Sequence, residues 1–271
     1  MQKQTKNTMT TIATLIDHLD AELHPEYQEN YDNAGFLLGD PTEECRGVLV
    51  ALDVTDDVIE EAIEKGANMI VTHHPMIFGN LKRITPANAL GRYIFKLIKN
   101  NISVYAAHTN LDNLKHGVNG ILAEILGLTD CHILRQLAGQ PSPDVGAGMV
   151  GRLPYPMPTV AFLEQVKMSL GLPLLRTSGI VNPVVDKVAV CGGAGNFLID
   201  DAKAQHADIY LTGDLKYHDF QRAEGDIILA DIGHFESEQF SKELFYSIIS
   251  KKFSNFACFI SHRGKSFVNY I

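Results

Sequence analysis

A strand–helix–strand unit that recurs without a gap 140 residues further on sets the strongest limit on how this chain can fold. In the first copy, Gly47 to Leu52 reads as a strand and Thr55 to Lys65 as a helix. Thr55 is placed to cap that helix, Asp56 and Asp57 sit in its first turn, and Gly66 stops it. Asn68 to Thr72 is the returning strand. In the second copy Val188-Ala189-Val190 aligns with Val48-Leu49-Val50, and Ile209-Tyr210-Leu211 with Met69-Ile70-Val71. Ile199, Ala202, Ala207 and Thr212 align with Ile59, Ala62, Ala67 and Thr72. The pattern predicts two related α/β halves, expected at residues 1–130 and 131–271, each built on parallel strands. The Gly- and Pro-rich stretch from Ala138 to Pro158 reads as the connector, with a boundary near residue 130–140.

The copies differ where the second strand ends. The first closes on Thr72-His73-His74-Pro75, the second on Thr212-Gly213-Asp214. Two further apolar runs end in similar residue types. His108 and Asp112 follow Ile102 to Ala107, and His234 and Glu238 follow Ile227 to Ala230. Imidazole is the commonest protein metal ligand, and ligands in open α/β sheets collect beyond the carboxyl ends of the strands. Histidines and acids after three strand ends therefore predict a dinuclear metal site at the strand C-terminal ends between the two halves.

Spacing suggests how two ions divide these residues. Adjacent side chains on extended backbone point to opposite faces, so the His73-His74 pair is expected to serve two ions rather than one. A helical turn after Gly233 would put His234 and Glu238 on one face, where a carboxylate can bridge. The assignment gives one ion His74 and Asp112 and the other His73 and His234, with Glu238 between them, at the roughly 3.5–4 Å spacing of two-metal hydrolases. The mixed donor set suits zinc, manganese, iron, cobalt or nickel better than calcium or magnesium. His108 is expected to contact substrate or to support the ligands from behind. Asn33, Asp53, Asn110 and Asp214 are candidates for orienting ligands or binding substrate, Asp214 being assigned to substrate, and turn and cap roles compete for each. His218, after Lys216-Tyr217, is a candidate general acid or base and equally a surface histidine. Gly192-Gly193-Ala194-Gly195-Asn196 lacks the GxGxxG spacing, so a tight strand-to-helix turn competes with an anion cradle.

Composition excludes several classes. The 271 residues carry 23 basic and 32 acidic side chains, a formal charge of −9 that argues against nucleic acid or an anionic membrane as a general partner. No run approaches the roughly 18 apolar residues of a membrane span. Cys45, Cys131, Cys191 and Cys258 form no CxxC pair, which fits reduced thiols in a cytoplasmic protein. The first eight residues have no apolar h-region and read as an extension, with Met9 as an alternative start.

Taken in order, Tyr31-Asp32-Asn33-Ala34-Gly35-Phe36, Ala51-Leu52-Asp53, Val71-Thr72-His73-His74-Pro75, His108-Thr109-Asn110-Leu111-Asp112, Leu211-Thr212-Gly213-Asp214 and Gly233-His234-Phe235-Glu236-Ser237-Glu238 resemble the GTP cyclohydrolase 1 type 2 homologues, the Nif-three-like dinuclear metal-centre proteins. Tyr31 stands where relatives usually have Trp, and Phe36 where they usually have Leu. The resemblance implies His73, His74, Asp112, His234 and Glu238 as ligands of two divalent ions, and a toroidal homohexamer in the compact form without an inserted domain. It also implies a hydrolase acting on a nucleotide or related small molecule, with a metal-bound hydroxide as nucleophile and an acid such as His218 protonating the leaving nitrogen. A non-catalytic metal-binding protein, serving storage, delivery or scaffolding, is the competing reading.

Overall fold

The computed structural model describes residues 10–254 and 257–271. The expected extension and the alternative start at Met9 lie outside the described residues. Thr11 opens the first helix, its Oγ1 accepting the Thr14 N–H at 3.2 Å, and α1 (Ile12–Leu23) buries Ile12, Leu15, Leu19 and Leu23 along one stripe. There follow β1 (Gly35–Leu38), β2 (Val48–Ala51), α2 (Asp56–Lys65), β3 (Met69–Thr72), α3 (Ala89–Lys99) and β4 (Ser103–Ala106). Helix α2 has the predicted termini. Thr55 Oγ1 accepts the Val58 N–H, and Gly66 takes the left-handed conformation at φ 68°.

From Thr109 the chain forms α4 (Thr109–Asp112), α5 (Val118–Ile125), β5 (Thr129–Gln136), β6 (Gly146–Pro158), α6 (Thr159–Leu170) and β7 (Arg176–Thr177). It continues through β8 (Val184–Ala194), α7 (Ile199–Ala204), β9 (Ile209–Gly213), α8 (Tyr217–Gln221), β10 (Ile228–Asp231) and α9 (His234–Glu238), and ends with α10 (Ser241–Lys252) and β11 (Cys258–Ile260). The chain divides into two compact units, one running up to His108 and regaining Lys242–Gly264, the other comprising Thr109–Ser241 and Lys265–Ile271. Residues 130–140 lie in the second unit, in β5 and the turn after it.

The repeat is visible in the pairing register. Val48, Leu49 and Val50 pair with Met69, Ile70 and Val71, and Val188, Ala189 and Val190 pair with Ile209, Tyr210 and Leu211, in parallel both times. A third parallel strand joins each set, β4 beside β3 and β10 beside β9, and an antiparallel edge strand flanks it, β1 on β4 and β7 on β10. The sheet orders are β1-β4-β3-β2-β11 and β5-β6-β8-β9-β10-β7. Strands β2, β3, β4, β9 and β10 are buried along their whole length, as parallel strands covered on both faces must be. In the first unit Leu49, Ala51, Ile59, Ala62, Ile70, Leu97 and Val104 form a core. In the second, one core forms around Phe162, Val166, Val188 and Leu211 and another around Tyr210, Ile199 and Leu229.

The expected connector is a correction. Much of Ala138 to Pro158 is β6, a 13-residue strand between β5 and β8. Its glycines serve close packing, since a Cβ on Gly146 would lie 2.2 Å from the Arg135 carbonyl and one on Gly148 2.8 Å from Leu198 Cδ1. Pro154 and Pro156 fall where the β6–β8 register shifts, between Arg152 and Met157, so the ladder tolerates their missing N–H groups. At the chain end, β11 pairs in parallel with β2 and Ser261 docks on α2. The buried Glu61 carboxylate accepts from Ser261 Oγ at 2.6 Å and from the His262 and Arg263 N–H groups. Burial alone would raise its pKa. Ser261, those two amides and the Lys65 charge together outweigh burial and hold it below the usual carboxylate value.

Candidate metal-binding residues

In the first unit the parallel strands β3 and β4 deliver three imidazoles. Strand β3 stops at Thr72, whose hydroxyl donates to the His74 carbonyl at 2.8 Å, while the His74 N–H donates to the Leu52 carbonyl. Extended backbone therefore ends one residue before the histidine pair. The opposite-face alternation expected of His73 and His74 does not operate, and their ring centroids lie 5.0 Å apart. His108, two residues past β4, closes the group at 5.3 Å from His73 and 5.5 Å from His74. One nitrogen from each ring lies within 4.8 Å of the others, the clustering that a metal ion uses.

Each ring is held through Nδ1. His73 Nδ1 is 2.8 Å from the Ala107 carbonyl, His74 Nδ1 is 2.8 Å from Asp53 Oδ1, and His108 Nδ1 is 2.8 Å from Asp32 Oδ1. A carbonyl or ionised carboxylate can only accept, so Nδ1 donates, and Nε2 is the nitrogen that would coordinate a metal. Acceptors placed behind imidazoles in this way set tautomer and orientation in metal sites.

The second unit supplies carboxylates and a fourth imidazole. Gly233, at φ 78°, starts α9, and His234 and Glu238 share its face as their spacing predicts, with His234 Nε2 and Glu238 Oε2 3.1 Å apart. Ligand atoms 2.0–2.2 Å from one ion lie roughly 3 Å from each other, so this pair already has the separation of two donors to a shared cation. His234 Nδ1 is 2.8 Å from Asp214 Oδ2. Asp214 thus orients the ring, a role left as one of two options by its position after β9. Asp112 ends α4, and one of its carboxylate oxygens lies within 4.8 Å of one from the buried Glu238. Ionising two carboxylates this close is costly, and a shared proton or a cation between them relieves that cost.

Several supporting residues escaped the sequence pattern. Asn119 ties the parts of the second unit together, donating to the Asp112 carbonyl at 3.0 Å and accepting the Gly192 N–H at 2.9 Å. Asp231 accepts the Gly233 and Leu215 N–H groups and an Arg176 guanidinium, so it fixes the turns before His234 and after Asp214. Gly193, at φ 60°, explains the glycine-rich stretch. A Cβ there would stand 2.2 Å from Glu238 Oε1, while Gly195 N–H donates to Thr212 Oγ1 and the Gly193 N–H to Ser237 Oγ. The stretch is a close-packed turn in which backbone approaches a buried carboxylate. Cys191 beside it is fully buried. Burial first, and then the negative fields of Asp112 and Glu238, push its thiol far above the usual range, so it stays protonated.

The remaining expectations find these places. Asn33 Nδ2 donates to the Ile77 carbonyl at 2.8 Å, Asn110 is buried in α4, and His218 lies exposed on α8 with its ring edge-on to Tyr217 at 5.2 Å. Among the described residues no helix is long and apolar enough to cross a membrane.

Two sets of parallel strands, with imidazoles and carboxylates beyond their carboxyl ends, define an α/β protein carrying candidate metal-ligand clusters. The chain belongs to the DUF34/NIF3 family (NGG1p interacting factor 3), whose model matches residues 10–265. It is 41% identical over 214 residues to the GTP cyclohydrolase 1 type 2 homolog of Clostridium perfringens, covering 78% of this chain and 80% of that protein. It is 32% identical over 237 residues to the homolog of Streptomyces coelicolor, covering 85% and 82%. Among solved structures, the Bacillus cereus protein related to NIF3 superposes with a TM-score of 0.90 at 27% identity over 97% of this chain and 99% of that one. Staphylococcus aureus protein SA1388 gives 0.88 at 30% identity over the same shares.

Proposed function

We propose that this protein is a dinuclear metal-dependent hydrolase of the GTP cyclohydrolase type 2 kind, acting on a nucleotide or related small molecule. His73, His74, Asp112, His234 and Glu238 are the proposed ligands of two divalent ions drawn from zinc, manganese, iron, cobalt and nickel. The observation that supports the reading is the shared posture of four histidines, each with Nδ1 on an oxygen acceptor, which would leave Nε2 to face a metal. When bound, such ions polarise an electrophile and lower the pKa of a water they hold.

The chain's own residues have separate tasks in this scheme. Ala107, Asp53 and Asp214 keep His73, His74 and His234 in one tautomer. Asp32 does the same for His108, which either contacts substrate or adds a donor to the imidazole group. Gly193 leaves Glu238 room to stay buried. His218 is the proposed proton donor to a leaving nitrogen. Its exposed position is also the observation that favours the second reading, a metal storage, delivery or scaffold protein without turnover. The proposed assembly is the homohexamer implied by the resemblance, and the proposed location the cytoplasm.

The test is nucleotide turnover. Metal-replete protein incubated with GTP is expected to give a ring-opened product, at least 100-fold slower in Glu238→Gln, with His218→Ala reduced by about 10²-fold if it is the acid. A metal-replete preparation that leaves GTP and a panel of nucleotides intact would favour the non-catalytic reading.

A further inference from the structure

The first unit exposes two aromatic rings beside its imidazole group. Tyr31 is 64% exposed and Phe78 58%, far more than the chain's buried aromatics such as Tyr105 and Phe162. Their ring centroids are 6.4 Å apart at 52°, and Phe78 meets the His108 ring edge-on at 6.2 Å. Leaving apolar rings in water costs free energy unless something covers them.

The pair is built into place by its sequence neighbours. Asp32, next to Tyr31, binds His108 Nδ1, and Asn33, one residue further, donates to the carbonyl of Ile77, next to Phe78. Three consecutive residues, Tyr31-Asp32-Asn33, thus tie both rings to the third imidazole. Two rings at this spacing suit one planar ring of a small molecule.

Resting on the hydrolase reading above, we propose that Tyr31 and Phe78 form a stacking shelf for the base of a nucleotide, which holds its heterocycle beside His108 and the other imidazoles. Aromatic side chains accept any base through its π-face, so the shelf supplies affinity for a planar ring, and the donors beside it decide what happens to that ring. No other part of the ligand is assigned by these contacts.

The chain contains no tryptophan, so Phe78→Trp keeps an aromatic shelf and installs the single indole emitter. The probes are guanosine 5′-monophosphate and, as a base-free control, ribose 5-phosphate, with metal content and native mass measured on every sample. The expected result is saturable quenching by the nucleotide and none by the sugar phosphate. Adding Tyr31→Ala should weaken nucleotide binding about tenfold or more at unchanged metal content. No quenching in a metal-loaded sample, or quenching untouched by Tyr31→Ala, would overturn the shelf. So would unchanged nucleotide binding with a lowered native mass in Tyr31→Ala/Phe78→Ala, which would make the pair a subunit contact. Base-dependent quenching in protein that never takes up metal would support the shelf while sinking the hydrolase reading.

Discussion

The two copies of the repeat share a register and differ in what they place after it. In the first, position 53 is an aspartate that receives His74 Nδ1. At the same offset in the second stands Gly193, bare of side chain and pressed against Glu238. His73 and His74 correspond to Gly213 and Asp214, and Asp214 in turn receives His234 Nδ1. One backbone pattern therefore yields two imidazoles in one copy, one backed by a carboxylate and one by a backbone carbonyl. In the other it yields a glycine bed for a buried carboxylate, with one backed imidazole. The scaffold requires only the βαβ register, and the residues after the strands are free to diverge into complementary donor types.

That contrast can be broken at several strengths. The largest effect is expected from Gly193→Ala, which puts a Cβ 2.2 Å from Glu238 Oε1 at a φ of 60° that L side chains rarely adopt. Most bound metal should be lost while the fold persists, as read by metal content and circular dichroism. Metal retained at wild-type level would show that the glycine bed is incidental. Asp53→Ala and Asp214→Ala remove the acceptors behind one imidazole in each copy. Each should weaken metal binding about 10–100-fold, and the more exposed Asp214 should fall at the low end. Equal losses would erase the proposed ranking, and none at all would remove the acceptors from the account.

Smaller effects separate fold from site. Glu61→Gln should destabilise the protein by about 1–3 kcal/mol without changing metal content, because Glu61 docks residues 261–263 on α2 and pairs with Lys65. Its pKa is lower folded than unfolded, so its contribution is present above the ordinary carboxylate value near 4.5 and is lost as pH falls through the depressed folded value. Urea midpoints of wild type and Glu61→Gln should accordingly converge only at strongly acidic pH. Convergence already at neutral pH would contradict the sign. Last, Cys191 and Cys45, whose thiol is pushed up to about 12 by burial, should resist alkylation in native protein and react only on unfolding.

Local signals carried much of this structure. Thr55, the acids after it and Gly66 announce α2 because caps act within a few residues. The spacing of His234 and Glu238 gives their shared face for the same reason. The acceptors behind the imidazoles are different. Asp32 and His108 are 76 residues apart, and no periodicity links them. The same holds for Asn119 and Gly192, which meet across 73 residues. Strand β6 was hidden because Gly146, Gly148, Pro154 and Pro156 carry the composition of a linker, whereas packing partners elsewhere in the unit make them serviceable in a strand.

The central claim is that the named histidines and carboxylates bind divalent metal, and the most direct measurement is metal content by mass spectrometry. Protein purified without chelator or nickel resin should be compared with His73→Ala/Glu238→Ala. The account predicts about two ions per chain in the wild type and loss of both in the variant, with both proteins folded. Wild-type protein that is metal-free and takes up no added zinc, manganese or iron would contradict it.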